Sequence, residues 1–527
     1  MLSLVETVVG LLAASAAIAL LAKKVPVPYP ILLVLGGLFL SVIPGLPHIT
    51  LNPELVFLFL LPPILYPAAL FTPWRDFRAN LRPILLLAVG LVIFTTVAVG
   101  FLVHWFIPEL PLSAGFVLGA IVSPPDAVAA MAIAEHLRVP RRIVTILEGE
   151  SLVNDATALV ALRFAVAAIS SGSFSLPHAS ARFVIVATGG VAIGLLTGYA
   201  TAWIQKRIDE PPVETTISLL TPFLAYLPAE QLGLSGVLAV VTAGLYHGWR
   251  LPEITTSRTR LEAGPVWRMI EFLLNGFIFL LIGLQLPTIL SNLPPPSAAR
   301  LLHSALFLSA VVILVRILWV FPATYLPRLL SRKLRARDPF PGWRNVAIVG
   351  WTGIRGVVSL AAAMALPTEI GEGKPFPGRE LILFFTFVTI LVTLVVQGFT
   401  LPPIIRWLGI EEDRTEEKEE RDARLRANRA ALDRVKEMAK NNEAVPEIAE
   451  RVRIEYEDRI QQLEVGDLDG EAPKSLFSAD YDKLSQEVLE VERKTIRKLR
   501  DDLVINDEVF RRIQRDIDLA EARLRQF

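Results

Sequence analysis

The chain has 527 residues, 53% of them hydrophobic and only 20% charged, and its mean hydropathy of +0.50 excludes an ordinary soluble protein. The formal net charge of zero hides two opposed parts: residues 1–410 carry 28 Lys/Arg against 20 Asp/Glu, an excess of eight positive charges, whereas 411–527 carry 24 against 32, an excess of eight negative ones. There is no cysteine, which excludes disulfides, thiolate metal sites and thiol nucleophiles.

A membrane-spanning helix needs about 20 apolar residues. In chain order such stretches fall at 4–22, 29–45, 54–72, 83–106, 112–135, 143–169, 182–204, 213–228, 232–248, 267–287, 302–325, 344–366 and 380–408, thirteen in all. The first is read as a span rather than a cleaved signal, because Lys23-Lys24 follows its apolar run instead of preceding it. Between the eighth and ninth stretches a turn is expected from Pro228 to Gln231. Placing the Lys23-Lys24 loop in the cytoplasm also places Arg75, Arg78, Arg82, Arg138, Arg141, Arg142, Lys206, Arg207, Arg250, Arg258, Arg260, Arg268 and the Arg328–Arg344 group there. With Arg406 counted, the balance is about 21 basic residues against about 4 on the other side (Arg182, Arg300, Lys374 and Arg379), as positive-inside topology requires. An odd number of spans then sets the N-terminus outside and the acidic tail in the cytoplasm.

The expected fold class is an all-α multi-pass protein of the inner (plasma) membrane, with residues 1–408 in the bilayer and 409–527 forming a charged helical domain. That domain reads as helices near 411–441, 447–465, 479–503 and 507–526, broken by Pro446 and by Gly466-Asp467-Leu468-Asp469-Gly470. Ile454, Ile460 and Leu463 make only a partial apolar stripe, which suits a solvated bundle or a dimerising coil. A regulatory sensor is the alternative, and no ligand motif is visible.

Two acids stand where lipid-spanning sequence is expected: Asp126 in Ser123-Pro124-Pro125-Asp126, and Asp155 in Glu148-Gly149-Glu150-Ser151-Leu152-Val153-Asn154-Asp155. A charge at bilayer depth costs at least ~2.5 kcal/mol, so such residues face a cavity or a partner. Adjacent prolines cannot continue a helix, and freed backbone groups at that depth are tolerated only beside a cavity or an ion. A second interruption is expected at Gly350-Trp351-Thr352-Gly353-Ile354-Arg355-Gly356, where glycines surround an arginine. Paired interruptions in two halves point to an inverted-repeat transporter with a midplane site. A proline kink and a glycine packing patch are the plainer explanation.

Ser151, Asn154, Asp155 and Ala158 share one helical face. Hydroxyl, amide and carboxylate together are hard oxygen donors suited to Na⁺, so Asp155, Asp126 and Ser151 are the expected cation ligands, with Asn154 beside them. A cation between the two acids would replace the proton that otherwise neutralises them. Glu150 is turned away from that face, and Arg316 lies deep in the eleventh span, so a buried Glu150–Arg316 ion pair is expected as a structural element. Arg355 could neutralise carbonyl ends or repel a second cation. Arg163 is expected to snorkel outward. Asn275 and Gln285 line the cavity or join helices, while Glu54, His104 and His247, near span ends, read as solvated or capping residues.

Ser123-Pro124-Pro125-Asp126, Gly149-Glu150-Ser151-Leu152-Val153-Asn154-Asp155, Gly353-Ile354-Arg355-Gly356 and Leu61-Pro62-Pro63-Ile64-Leu65 resemble the motifs of the cation/proton antiporter-1 family, which includes bacterial NhaP-type antiporters and animal Na⁺/H⁺ exchangers. The resemblance covers about residues 1–408. It implies a thirteen-span NhaA-like fold, a homodimer, and an elevator movement of a six-helix core against a dimerisation domain. It also implies ion binding at Asp155 with Asp126, Ser151 and nearby backbone, a supporting role for Asn154, and a Glu150–Arg316 pair that orients the core. Asn154 beside the acid implies electroneutral one-for-one exchange, because only one titrating charge is loaded. The sequence departs from the family in three places. Tyr66-Pro67-Ala68 stands where many relatives carry an acid, Pro125 offers only its carbonyl before Asp126, and Asn275 replaces an acid of the animal exchangers. Glu148 adds a carboxylate toward the cytoplasmic mouth.

The expected function is therefore secondary antiport of Na⁺, or Li⁺ or K⁺, against H⁺, serving sodium transport and pH homeostasis, with no cofactor and no nucleic-acid partner. The enzyme alternative is an intramembrane aspartyl protease using Asp126 and Asp155, although such enzymes share a Gly-x-Gly-Asp motif that is missing here. A receptor or scaffold acting through its tail would explain neither the broken helices nor the midplane acids.

Overall fold

The computed structural model of the chain describes residues 2–22, 24, 28–43, 52–107, 110–137, 139–171, 175–291, 293, 298–370, 374–410, 415–441, 445–465, 488–499, 502, 513–514 and 516–521. Lys23, Arg138, the Gly466–Gly470 break and the stretch 479–487 of an expected tail helix lie outside the described residues.

Each apolar stretch forms helix, since in lipid only a helix or a closed barrel satisfies its own backbone. The first stretches give α1 (Leu2–Ala22), α2 (Tyr29–Ser41), α3 (Pro53–Phe71) and α4 (Leu81–Phe106). They are followed by α5 (Leu112–Val122), α6 (Val128–His136), α7 (Arg141–Ser171) and α8 (Leu176–Gln205). Next come α9 (Pro211–Gln231), α10 (Gly236–Ile254), α11 (Ser257–Leu284) and α12 (Ala298–Leu330). The series closes with α13 (Trp343–Trp351), α14 (Val357–Met364) and α15 (Arg379–Trp407). Among the described helices seven are long and apolar enough to cross a membrane: α3, α4, α7, α8, α11 with its short continuation, α12 and α15. A short antiparallel hairpin, Glu369–Ile370 with Lys374–Pro375, joins α14 to α15.

Local chemistry sets the helix ends. Side-chain oxygens of Asn52, Ser235 and Thr256 accept from the backbone amides of Glu54, Leu238 and Thr259 at 2.9, 3.2 and 3.2 Å, capping α3, α10 and α11. The turn expected at Pro228–Gln231 lies further on. Helix α9 runs through Pro228 to Gln231, and the chain reverses at Gly233, whose φ of 68° is the left-handed conformation a glycine supplies. Three helices contain a wide π turn, at Val56–Leu60 in α3, Leu86–Leu91 in α4 and Thr393–Gln397 in α15.

The most extensive helix contacts fall into two groups, and a continuous apolar core joins α2 and α11 of the first to α5, α12 and α15 of the second. In one, α8 lies along α10, α10 along α3, and α11 along α2. Gly190, Gly194 and Gly198 of α8 meet Ser235, Ala239 and Ala243 of α10, the small-residue contact common between helices in lipid. In the other group α4 lies along α5, α5 along α7, and α12 along α13 and α15. Leu195, Leu196, Tyr199 and Trp203 of α8 are exposed, as suits a surface that meets lipid or another apolar face.

The chain divides into two compact units, Met1–Asp413 and Arg414–Phe527. In the second, α16 (Thr415–Lys440) and α17 (Pro446–Val465) form an antiparallel pair joined by Arg429–Glu464 at 2.7 Å and Lys436–Glu457 at 3.9 Å. Hydrogen bonds from Arg453 hold the Glu450 carboxyl below its ordinary range. Residues 488–499 are helical, and Arg493 binds Asp518 and Glu521 at 2.8 and 2.7 Å.

Candidate functional site

The two interruptions meet. The helix formed by α5 and α6 breaks at Ser123–Ala127, and that formed by α13 and α14 breaks at Thr352–Gly356. Neither Pro124 nor Pro125 has an amide to give, so the break leaves carbonyls that need donors from elsewhere. The Asp126 amide donates to the Ile354 carbonyl at 2.7 Å, which ties one break to the other. Gly356 lies so close to the Asp126 side chain that any Cβ there would overlap its carboxylate, so this side-chain position requires glycine at 356.

Arginines serve the carbonyl ends. Arg355 Nε donates to the Val122 carbonyl at the end of α5 at 3.0 Å, and the same guanidinium donates to the Gly353 carbonyl. Of the two roles open to Arg355 in the sequence, the geometry shows the carbonyl-binding one, a positive charge at a helix C-terminus. Thr393 Oγ1 accepts the Arg355 amide at 3.1 Å, and Gln397 Nε2 donates to the Trp351 carbonyl at 2.8 Å. Sequence reasoning missed these two α15 residues. Their four-residue spacing on one face of a span was the available signal.

Helix α7 presents the predicted face to the first interruption. Asn154 Nδ2 donates to the Pro125 carbonyl at 2.7 Å, and the Ala127 amide donates to Ser151 Oγ at 3.3 Å. Asp126 Oδ1 accepts from the Val128 amide at 2.8 Å and so caps α6, and its side chain is half-buried. Asp155 is buried at 7% exposure and lies within electrostatic reach of Asp126. Among the described residues no hydrogen bond or ion pair is made to its carboxylate. Asp126, Asp155, Ser151, Asn154 and the Pro125 carbonyl thus gather around one crossing. The Pro125 oxygen spends one lone pair on Asn154, while the Asn154 carbonyl oxygen is buried and unpartnered.

Glu150 faces the other way. Its two carboxylate oxygens receive Arg316 Nη1 and Nη2 at 2.5 and 2.7 Å, and Arg316 Nε donates to the Val349 carbonyl of α13 at 3.1 Å. Both side chains are almost fully buried, at 2% and 0% exposure. Arg163 is exposed and pairs with Glu230 at 2.7 Å, outside the crossing. Asn275 is buried on α11, and Gln285 Nε2 turns back to the Leu281 carbonyl of its own helix. Glu54 is exposed, and His104 Nδ1 lies 3.3 Å from the Leu110 carbonyl.

His247 departs from expectation. It is neither solvated nor a cap but buried between helices, with Nε2 3.0 Å from the Gly198 carbonyl and Nδ1 2.5 Å from the Tyr66 hydroxyl. Since a carbonyl only accepts, Nε2 carries the hydrogen, and Nδ1 accepts from Tyr66. Tyr66 is thereby held toward α10.

The chain was compared with known proteins. Residues 10–407 match the family described as sodium/hydrogen exchanger, transmembrane. An uncharacterised Na⁺/H⁺ exchanger of Mycobacterium tuberculosis is 37% identical over 527 residues, covering 98% of this chain and 95% of its own length. A sodium, potassium, lithium and rubidium/H⁺ antiporter of Bacillus pumilus is 36% identical, covering 75% of this chain and 60% of that one. The structure of the sodium proton antiporter MjNhaP1 from Methanocaldococcus jannaschii at pH 8 superposes with a TM-score of 0.61 at 21% identity, covering 77% of this chain and 99% of that chain. This last likeness is one of fold.

Proposed function

The chain belongs to the sodium/hydrogen exchanger family, and we propose that it exchanges a monovalent cation for H⁺ at Asp155. It is a multi-pass membrane transporter and not an enzyme, and the aspartyl-protease alternative falls with that assignment. Asp155 carries the site assignment: a buried carboxylate with no fixed counter-charge, facing a second acid where two interrupted helices cross. An uncompensated charge in a low-dielectric interior is costly. The site therefore crosses readily when it holds either a proton or a cation, and poorly when it is empty and ionised.

Na⁺ is the leading substrate, with Li⁺ and K⁺ beside it. The oxygen-only donor set of Asp155, Asp126 and Ser151 supports that choice, and so does the cation range in the name of the Bacillus pumilus relative. Asn154 contributes an amide and no second titrating charge, which supports electroneutral one-for-one exchange. The two packing groups support an elevator movement, in which the group carrying the crossing shifts against the other. The basic loops support a cytoplasmic tail and an outside N-terminus in the plasma membrane. The exposed apolar face of α8 supports a homodimer.

Adding Na⁺ to the purified protein in weakly buffered solution is expected to release protons, and Asp155→Asn is expected to release none. Competition also fixes the pH dependence. As pH falls, protons occupy the carboxylate, so the cation concentration for half-maximal exchange rises while the maximal rate is preserved. Wild-type protein that binds Na⁺ without proton release refutes a shared site.

A further inference from the structure

A second charge cluster lies away from the crossing. Arg82 near the start of α4, Arg142 near the start of α7 and Arg328 near the end of α12 converge on one acid, Asp338, in the loop before α13. Arg142 Nη2 lies 2.7 Å from Asp338 Oδ1, and Arg328 Nη2 lies 2.5 Å from Oδ2. Arg328 Nε also donates to the Asp338 carbonyl at 3.2 Å, and its side chain is only 3% exposed. Arg82 Nη1 stands 3.8 Å from Oδ2, buried and without a hydrogen-bond partner. Three guanidinium groups thus share one carboxylate, and Arg82 feels the repulsion of both Arg328 and Arg142.

Beside these arginines opens a cavity of about 70 Å³, whose other walls include Leu87, Ile146, Val320 and Val349. The lining combines cationic donors with aliphatic side chains and the polar Thr324 and Asn345, and its volume fits a phosphate group with the first carbons attached to it. Arginine's planar fork suits phosphate oxygens, and basic pockets between spans at a membrane surface bind anionic headgroups. The neighbouring pair Arg141–Asp76, at 2.5 Å, balances its own charge and leaves the excess at the cluster unchanged. We propose that this cavity binds the phosphodiester of an anionic phospholipid, which meets Arg82 and Arg142 while the Asp338 carboxylate holds the place of a competing anion. Only the choice of leaflet rests on the orientation proposed above. Binding itself is independent of transport.

The full-length protein in neutral detergent supplies the test. Retention of phosphatidylglycerol, phosphatidylcholine and inorganic phosphate is compared by native mass spectrometry, together with the shift each gives in thermal unfolding. Phosphatidylglycerol is expected to bind and stabilise, phosphatidylcholine to do neither, and phosphate alone to act far more weakly because it leaves the apolar walls uncovered. Arg82→Gln with Arg142→Gln is expected to weaken phosphatidylglycerol binding roughly tenfold or more. Asp338→Asn is expected to strengthen it. Should the double variant not fold, Arg82→Gln alone gives the reading, since Arg82 makes no hydrogen bond that folding depends on. Equal retention of the two lipids, unchanged affinity in the arginine variant, or a phosphate effect equal to that of the lipid each overturns the proposal.

Discussion

Glu150 and Asp155 lie five residues apart on one helix, both buried, yet the protein treats them in opposite ways. Glu150 is neutralised: a guanidinium grips both its oxygens, and the Nε of that arginine donates to the Val349 carbonyl near the end of α13. Asp155 receives nothing of the kind from the described residues. A carboxylate whose two oxygens are both held by a buried guanidinium is already neutralised, while one left open in a dry environment holds whichever small cation neutralises it. On the proposed assignment the same side-chain chemistry is structural at Glu150 and functional at Asp155, within a helical turn and a half of α7.

The largest effect expected from breaking this contrast is at Asp155. Asp155→Asn should lower cation-driven proton flux in everted vesicles to background while insertion and thermal stability stay near wild type. Retained exchange would place the ion elsewhere. Next comes the neutralised partner: Arg316→Ala strands Glu150 in the interior and should cost about 3–5 kcal/mol, read as lost folded yield. Adding Glu150→Ala should recover part of that yield, because the stranded charge is gone. Full yield from Arg316→Ala alone would show that the pair contributes little.

Asn154→Ala probes the border between the two acids. It deprives the Pro125 carbonyl of its donor, costing about 1–3 kcal/mol for an unsatisfied buried group. It should raise the cation concentration needed for half-maximal exchange by a few-fold with folding intact. The smallest effect is expected at Arg163, whose exposed pair with Glu230 is worth at most about 1 kcal/mol. Arg163→Ala should leave exchange unchanged, and a marked loss there would extend the functional region beyond the crossing.

Much of the crossing was legible in the sequence, because its signals are chemically loud. Pro124-Pro125 forbids a helix, Gly353 and Gly356 flank a buried arginine, and two unpaired charges in spans demand each other, as Glu150 and Arg316 do. What stayed hidden is neutral or polyvalent. Thr393 binds the Arg355 amide, yet its hydroxyl also donates to the Thr389 carbonyl 2.8 Å away, the ordinary behaviour of threonine in any span. His247 looked like a residue at a water boundary, since spacing along one helix does not reveal that Tyr66 and Gly198 close over it from two others. Pro228 marked a turn in the sequence but sits inside α9, because the reversal needed a left-handed residue and took Gly233.

The amide of Asp126 hooked to the carbonyl of Ile354 has a mechanical consequence. A peptide hydrogen bond of 2.7 Å between two non-helical segments, reinforced by a guanidinium that bonds carbonyls on both sides, ties them together. In the elevator movement proposed above, the four half-helices radiating from this knot travel as one cargo frame. Under that proposal the sliding surface lies at the frame's outer walls, and the hub is the part that stays together.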